Sequence, residues 1–151
     1  MDKVKYEWVY GKADGFEGAQ SVRYAVFVQE QGYSIEGEID EKDAVAYHII
    51  GYKAEVPVCT ARLFTDEEEV YHIGRVAVLP QLRGKGVGLQ MMERVLQKAK
   101  EAGASALLLS SQADKSRFYE HMGFVHTGRT MLDEGQPHVE MRKSFDACDG
   151  I

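Results

Sequence analysis

Residues 75–100 read RVAVLPQLRGKGVGLQMMERVLQKAK: an apolar run, a proline, then glycines at 84, 86 and 88 just ahead of an amphipathic helix. Glycine in a helix interior costs about 1 kcal/mol relative to alanine, so the start of this helix is built for something other than stability. A helix N-terminus carries unpaired backbone N–H groups and the positive end of the helix dipole. Leaving out side chains at alternate positions lets an anion approach those groups, and glycine also permits backbone angles that bulkier residues resist. Arg83 and Lys85 add positive charge at the same mouth. The segment Arg83, Gly84, Lys85, Gly86, Val87, Gly88 and Leu89 therefore predicts a phosphate or pyrophosphate cradle. It is neither of two common cradles. A Walker A loop ends Gly-Lys-Ser/Thr, whereas Lys85 precedes its glycine, and the dinucleotide fingerprint needs glycine where Leu89 or Met91 stands.

The same segment constrains topology. VAVL before the cradle and ASALLLSSQ at 104–112 are short apolar runs flanking the helix, which predicts a right-handed strand–helix–strand crossover between parallel strands. Phe16, Ala19, Val22, Arg23, Val26 and Phe27 share one face of a helix over 14–31. Residues 44–54 and 56–65 read as strands joined by a tight turn at Glu55, and 69–79 as a third strand. DKSRFYEHMG, 114–123, reads as a short helix with Asp114 as N-cap and Gly123 as its stop. FVHTGRTML and HVEMRKSF close the chain as an antiparallel pair. The expectation is a mixed α/β fold, a mostly antiparallel sheet with a central parallel crossover. It comprises a single domain over 1–145 and a polar tail at 146–151.

The 151 residues suffice for one domain with a real core. A net charge of −6 argues against a broad nucleic-acid footprint. No apolar run is long enough for a membrane span, and the first residues carry no signal-peptide pattern. Cys59 and Cys148 are far apart and belong to no metal-ligand spacing, so a reduced, cytoplasmic, metal-free protein is expected.

VAVLPQLRGKGVGLQMMERVL resembles the acetyl-CoA-binding motif of the GNAT superfamily of N-acetyltransferases. SSQADKSRFYEHMGF resembles that family's later strand–helix with its Phe-Tyr-x-x-x-Gly-Phe ending. RYAVFVQEQG and EIDEKDAVAYH further resemble a small, largely uncharacterised bacterial subgroup, and the likeness runs from about Lys5 to Phe145. It implies the GNAT fold and acetyl-CoA as co-substrate. Val76, Ala77 and Val78 are then the backbone that holds the pantetheine arm, and Arg83 to Leu89 the segment that wraps the pyrophosphate. Gln112 and Phe118 join the coenzyme set, although Gln112 stands where the common pattern has Asn. Tyr119 falls where many members keep a tyrosine near the coenzyme sulfur.

Acyl transfer to an amine requires a base for the ammonium, a donor for the thioester oxygen, and a proton for the departing thiolate. A backbone N–H near Val78 suits the second need, and the Tyr119 phenol suits the third. Glu30, Glu38, Asp40, His48, His72, His138 and Glu140 are all candidates for the base, as is a water chain. Glu30 and His138 are the residues expected to line the acceptor cleft. The run EGEIDEKD reads as a polar loop, or as a guide for a cationic acceptor. The expected acceptor is a small-molecule or peptide amine, with no nucleic-acid or membrane partner. A homodimer through the C-terminal strands is compatible with the pattern. The rival reading is a coenzyme-binding sensor or scaffold of the same fold that lacks an acceptor.

Overall fold

The computed structural model describes residues 3–66 and 69–145; the tail at 146–151, with Cys148, lies outside the described residues. Strand β1 (Lys5–Tyr10) leads to helix α1 (Phe16–Arg23), which continues as a π-helical stretch, Tyr24–Glu30. Next come β2 (Tyr47–Lys53), β3 (Val56–Thr65), β4 (Val70–Val78), α2 (Val87–Glu101) and β5 (Ala106–Gln112). The chain closes with α3 (Ser116–Glu120), β6 (Val125–Asp133) and β7 (Gln136–Ser144). The seven strands run in the order β1-β2-β3-β4-β5-β7-β6. β4 and β5 are parallel, while β1–β2, β2–β3, β5–β7 and β6–β7 are antiparallel. This is the mixed, mostly antiparallel sheet that the sequence predicts. The described residues fall into two compact units, one running up to Phe64 and including Arg75–Lys98, the other including Gly74 and the chain from Ala99 to Phe145.

In the first unit, α1 buries the face that its periodicity marks. Phe16 and Ala19 pack on Ile50, while Val22 and Val26 pack on Ala77. β2 and β3 turn through Ala54 and Glu55, both in the left-handed region at φ 50° and 69°. The stripe Gln90, Arg94 and Lys98 on α2 faces the aromatics of β1 and β2. The Arg94 guanidinium lies 4.3 Å from the Tyr6 ring centre. Lys98 Nζ lies 5.2 Å and 4.7 Å from the Trp8 and Tyr47 rings.

Arg23, on the buried face of α1, is the exception in an apolar stripe, and its partners turn Glu38 and Asp43 of the polar loop EGEIDEKD inward. Its Nε donates to Glu38 Oε1 at 2.7 Å, and its two Nη atoms donate to Asp43 at 2.9 and 3.0 Å. Arg62 donates to Asp40 at 2.7 and 3.1 Å and to Asp43 at 3.0 Å. Arg75 donates to the Glu38 carbonyl at 3.1 Å and to Asp40 at 3.4 Å. Asp43 and Arg23 are wholly buried, at 0% exposure. Isolated charges would be very costly there, so each needs its partners. The loop is a brace, with Asp40 and Asp43 closing a capping box on the 3₁₀ turn Glu41–Val45.

Burial opposes the charge on Asp43, but hydrogen bonds from Arg23 and the field of Arg62 outweigh it and hold the carboxyl well below its ordinary range. Asp40 is lowered in the same sense, against its burial, chiefly by Arg62. Burial also lowers His48, favouring the neutral ring. All three folded values lie below the unfolded ones, so the stability they contribute is present above the unfolded values and lost as pH falls. Tm should hold above about pH 7, decline through about pH 6.5 with His48, and drop steeply below about pH 4 with Asp40 and Asp43. Melting curves across that range check this, and Asp43→Asn should flatten the acid limb. An unchanged limb would assign the acid lability to other carboxylates.

In the second unit, Val70–Ile73 of β4 pair in parallel with Ala106–Leu109 of β5. β5 in turn pairs with β7, matching Leu109 to Met141 and Gln112 to His138. β6 is exposed at every position but Met131, with Val125 and Leu132 at 63% and 73%. Among the described residues, no helix is long and apolar enough to cross a membrane.

Candidate active site

The cradle residues lie in the first unit. The Gln90 N–H reaches the Gly86 carbonyl at 3.0 Å. The N–H groups of Val87, Gly88 and Leu89 therefore precede the first i→i−4 donor of this 15-residue helix and have no intrahelical partner. Gly84 and Gly86 sit at φ 77° and 81°, and a Cβ at either would meet no atom within 4 Å. The backbone angle, and not crowding, favours glycine at these two positions, and the space beside them is open. The Tyr6 hydroxyl, 3.2 Å from the Val87 carbonyl and 3.1 Å from Gln90 Oε1, ties the first turn of α2 to β1. Burial pushes the Tyr6 phenol up to about 12, so it remains a donor.

Val76, Ala77 and Val78 end β4, one residue after Arg75, whose φ of 51° is left-handed without being glycine. Such an outlier persists only where its surroundings hold it. Here the guanidinium is tied to the Gly37 and Glu38 carbonyls and to Asp40. The role of Arg75 is invisible in the sequence pattern, where it reads as one more strand residue.

Arg83 does not stand open to an anion. Its Nη1 and Nη2 each donate to a Glu30 oxygen at 2.7 Å, and its Nε donates to the Val78 carbonyl at 2.9 Å. The Glu30 hydrogen bonds raise the Arg83 pKa. The structure thus brings Glu30, Val78 and Arg83 together. Glu30, expected to line the acceptor cleft, has its carboxylate on Arg83 at the start of the glycine segment.

Among the other candidate bases, Glu38 and Asp40 are held by arginines. His48 is fully buried, with Nε2 donating to the Asp43 carbonyl at 3.1 Å, which fixes its tautomer. These three belong to the brace. His138 is buried on β7, its Nδ1 3.0 Å from the Gln136 carbonyl. Glu140 takes Thr127 at 3.0 Å. Among the described residues, no group of His, Cys, Asp and Glu side chains is arranged to hold a metal.

Tyr119, Phe118, Gln112 and His138 lie in the second unit. The Phe-Tyr-x-x-x-Gly-Phe ending has a local physical reason. Gly123, at φ 92°, ends α3 with its N–H on the Glu120 carbonyl, and the Phe124 N–H reaches back to the Tyr119 carbonyl at 3.1 Å. That is a Schellman closure. The hydrophobic contact that usually accompanies it is Tyr119 against Phe124, ring centres 6.1 Å apart. Phe118 adds a second edge contact at 5.0 Å. Asp114 does not cap the helix as expected. It lies inside a 3₁₀ turn, Ala113–Lys115, and α3 begins only at Ser116 with no side-chain cap. Tyr119 is 9% exposed, and burial raises its pKa above the ordinary phenol value. The hydroxyl is therefore protonated at neutral pH.

The sheet order, the parallel β4–β5 pair and the glycine cradle define an acyl-CoA N-acyltransferase fold. The crystal structure of an acyl-CoA N-acyltransferase from Pseudomonas aeruginosa matches with a TM-score of 0.82 and 27% identity, covering 94% of this chain and 100% of that one. The crystal structure of Escherichia coli ElaA matches with a TM-score of 0.84, again covering 94% and 100%. The model of the acetyltransferase (GNAT) domain matches residues 15–145, and the chain belongs to the GNAT acetyltransferases. In sequence, E. coli ElaA is 34% identical over 127 residues, 81% of this chain and 82% of that protein. The uncharacterized N-acetyltransferase YjcF of Bacillus subtilis is 36% identical over 123 residues, 81% of this chain and 87% of that protein.

Proposed function

We propose that this chain is a cytoplasmic N-acetyltransferase that moves an acetyl group directly from acetyl-CoA to a primary amine of a small molecule or peptide. The observation that carries the proposal is the glycine cradle at the start of α2, within a chain of the GNAT family. Its residues suit a coenzyme bearing a pyrophosphate. N–H groups without an intrahelical partner at Val87 to Leu89, open space at Gly84 and Gly86, and the cation Lys85 suit two phosphates, with Arg83 beside them on Glu30. The backbone of Val76 to Val78 would hold the pantetheine arm as an added strand does. The acceptor amine, once deprotonated, forms the N–C bond with the acetyl carbon, and its nitrogen then gives up a second proton to water to become the amide. As the C–S bond breaks, its electron pair goes to sulfur.

Tyr119 would donate the proton that sulfur takes up and regain one from water. The family resemblance supports that role, and burial keeps the hydroxyl protonated at neutral pH, although it also makes the phenol a weaker acid. Cys59 is a poor candidate for an acyl carrier, because burial pushes its thiol up to about 11 and it is fully enclosed. That supports direct transfer. Release of free thiol from acetyl-CoA across a panel of amines tests the function. Turnover with no amine in the panel, alongside tight coenzyme binding, would favour a sensor.

The cradle is tested by two variants of one position. Asn and Asp both tolerate the left-handed angle of residue 86 and have nearly the same shape. They differ in charge. Gly86→Asp should weaken acetyl-CoA binding by at least about tenfold relative to Gly86→Asn, because a carboxylate there repels the pyrophosphate. Calorimetry giving equal affinities would remove the anion from this loop.

A further inference from the structure

We propose that Glu30 is a built-in competitor of the coenzyme. Its carboxylate occupies the guanidinium fork of Arg83, which an anionic coenzyme has to take over. The inference rests on the cradle's binding a pyrophosphate, as proposed above. An arginine recognises a carboxylate and a phosphate with the same edge, through two parallel N–H···O bonds. In this structure the Nη1–Nη2 edge of Arg83 is on Glu30, with both bonds at 2.7 Å. The Nε edge is interrupted as well, because Nε serves the Val78 carbonyl at 2.9 Å. Neither edge of the guanidinium can meet a phosphate in two-pronged fashion until one of these partners leaves. Val78 also closes the backbone segment assigned to the pantetheine arm, so a single side chain caps both parts of the coenzyme path.

The location of Glu30 makes the contact more than a chance surface pair. It is the last residue of the π-helical stretch Tyr24–Glu30, where the Gln31 N–H reaches five residues back to the Val26 carbonyl at 3.0 Å. Helices of this wide type are rare and recur at functional sites. Both partners are 37% exposed, so the pair is open to solvent and can be exchanged. An exposed pair of this kind is weak enough to yield to a coenzyme and strong enough to tax its affinity.

Calorimetric titration of CoA into the wild type, Glu30→Gln, Arg83→Met and the double variant tests the competition. Glu30→Gln should bind CoA about two- to fivefold more tightly than the wild type. The ratio should shrink as salt is raised, because the pair is exposed. In the Arg83→Met background the same substitution should change little, since the contested fork is gone. Glu30→Asp keeps the charge but shortens its reach and should fall between the wild type and Glu30→Gln. Unchanged or weaker binding by Glu30→Gln would overturn the proposal. So would a gain that persists undiminished without Arg83, which would reflect general charge near the cradle. Absence of CoA binding in all four proteins would overturn the coenzyme reading itself, and this inference with it. Binding that is normal but insensitive to Glu30 would overturn this inference alone.

Discussion

Arg23→Met should destabilise the fold by about 3–5 kcal/mol, the usual cost of removing one partner from a buried ion pair. Methionine fills much of the arginine's volume on the buried face of α1, so lost packing is a minor part of the effect. The larger part is what remains: Glu38 and Asp43, 8% and 0% exposed, each lose the partner that donates most directly to them. Arg75 and Arg62 still reach the same carboxylates, at 3.5 Å and 3.0 Å. That compensation keeps the expected loss from exceeding the range. For a chain of this length each 1 kcal/mol lowers Tm by about 2–4 °C, so a drop of roughly 6–20 °C is expected. Urea titration should show a lower midpoint with an unchanged slope. Replacing Arg23, Glu38 and Asp43 together by Met, Gln and Asn should recover part of the loss, because no buried charge is then left alone among the three. A loss below about 1 kcal/mol for Arg23→Met would mean that the carboxylates take up protons or water, and that the loop is no brace.

How far the fold and the site could be read from sequence depends on the range of the interaction involved. The glycine-rich start of α2 is legible because it is local: glycines at fixed offsets, two cations, and a helix beginning within a few residues. The closing Gly-Phe of α3 was legible for the same reason, since a Schellman end uses neighbours along the chain. Asp114 shows the limit even of local reasoning. An acidic residue ahead of a helical pattern invites a cap, but the 3₁₀ turn at 113–115 delays the helix and moves Asp114 inside the turn. The brace joins residues far apart in sequence, and EGEIDEKD has the composition of a solvated loop. One signal pointed to it: Arg23 sits among Val22 and Val26 on an apolar helical face, and a charge there calls for buried partners. Arg62, within the apolar strand VCTARLF, is a second such signal. Neither says which carboxylate answers it. The Arg83–Glu30 contact spans 53 positions and carries no pattern at all, so only the folded chain reveals it.

Tyr119→Phe should lower turnover by about a hundredfold while leaving stability and acetyl-CoA affinity nearly unchanged. The substitution removes one oxygen. The ring contacts with Phe118 and Phe124, and the backbone closure at Gly123 that fixes α3, do not involve that oxygen. Burial keeps the phenol protonated well above neutral pH, so in the proposed reaction Tyr119 gives a proton and cannot serve as the base. The loss should therefore appear in the turnover number, because the departing sulfur needs the proton only as the C–S bond breaks. It should also depend on the leaving group. An acyl donor whose thiolate is less basic needs less help, and with it the gap between wild type and Tyr119→Phe should narrow. A purely structural tyrosine would show no such dependence. Measuring turnover with acetyl-CoA and with a donor of lower thiol pKa, beside calorimetric affinities for both proteins, separates the two roles. Equal turnover in the two proteins would reduce Tyr119 to packing and leave the proton to water. A fall that is the same for both donors would point to positioning of the thioester rather than to proton transfer.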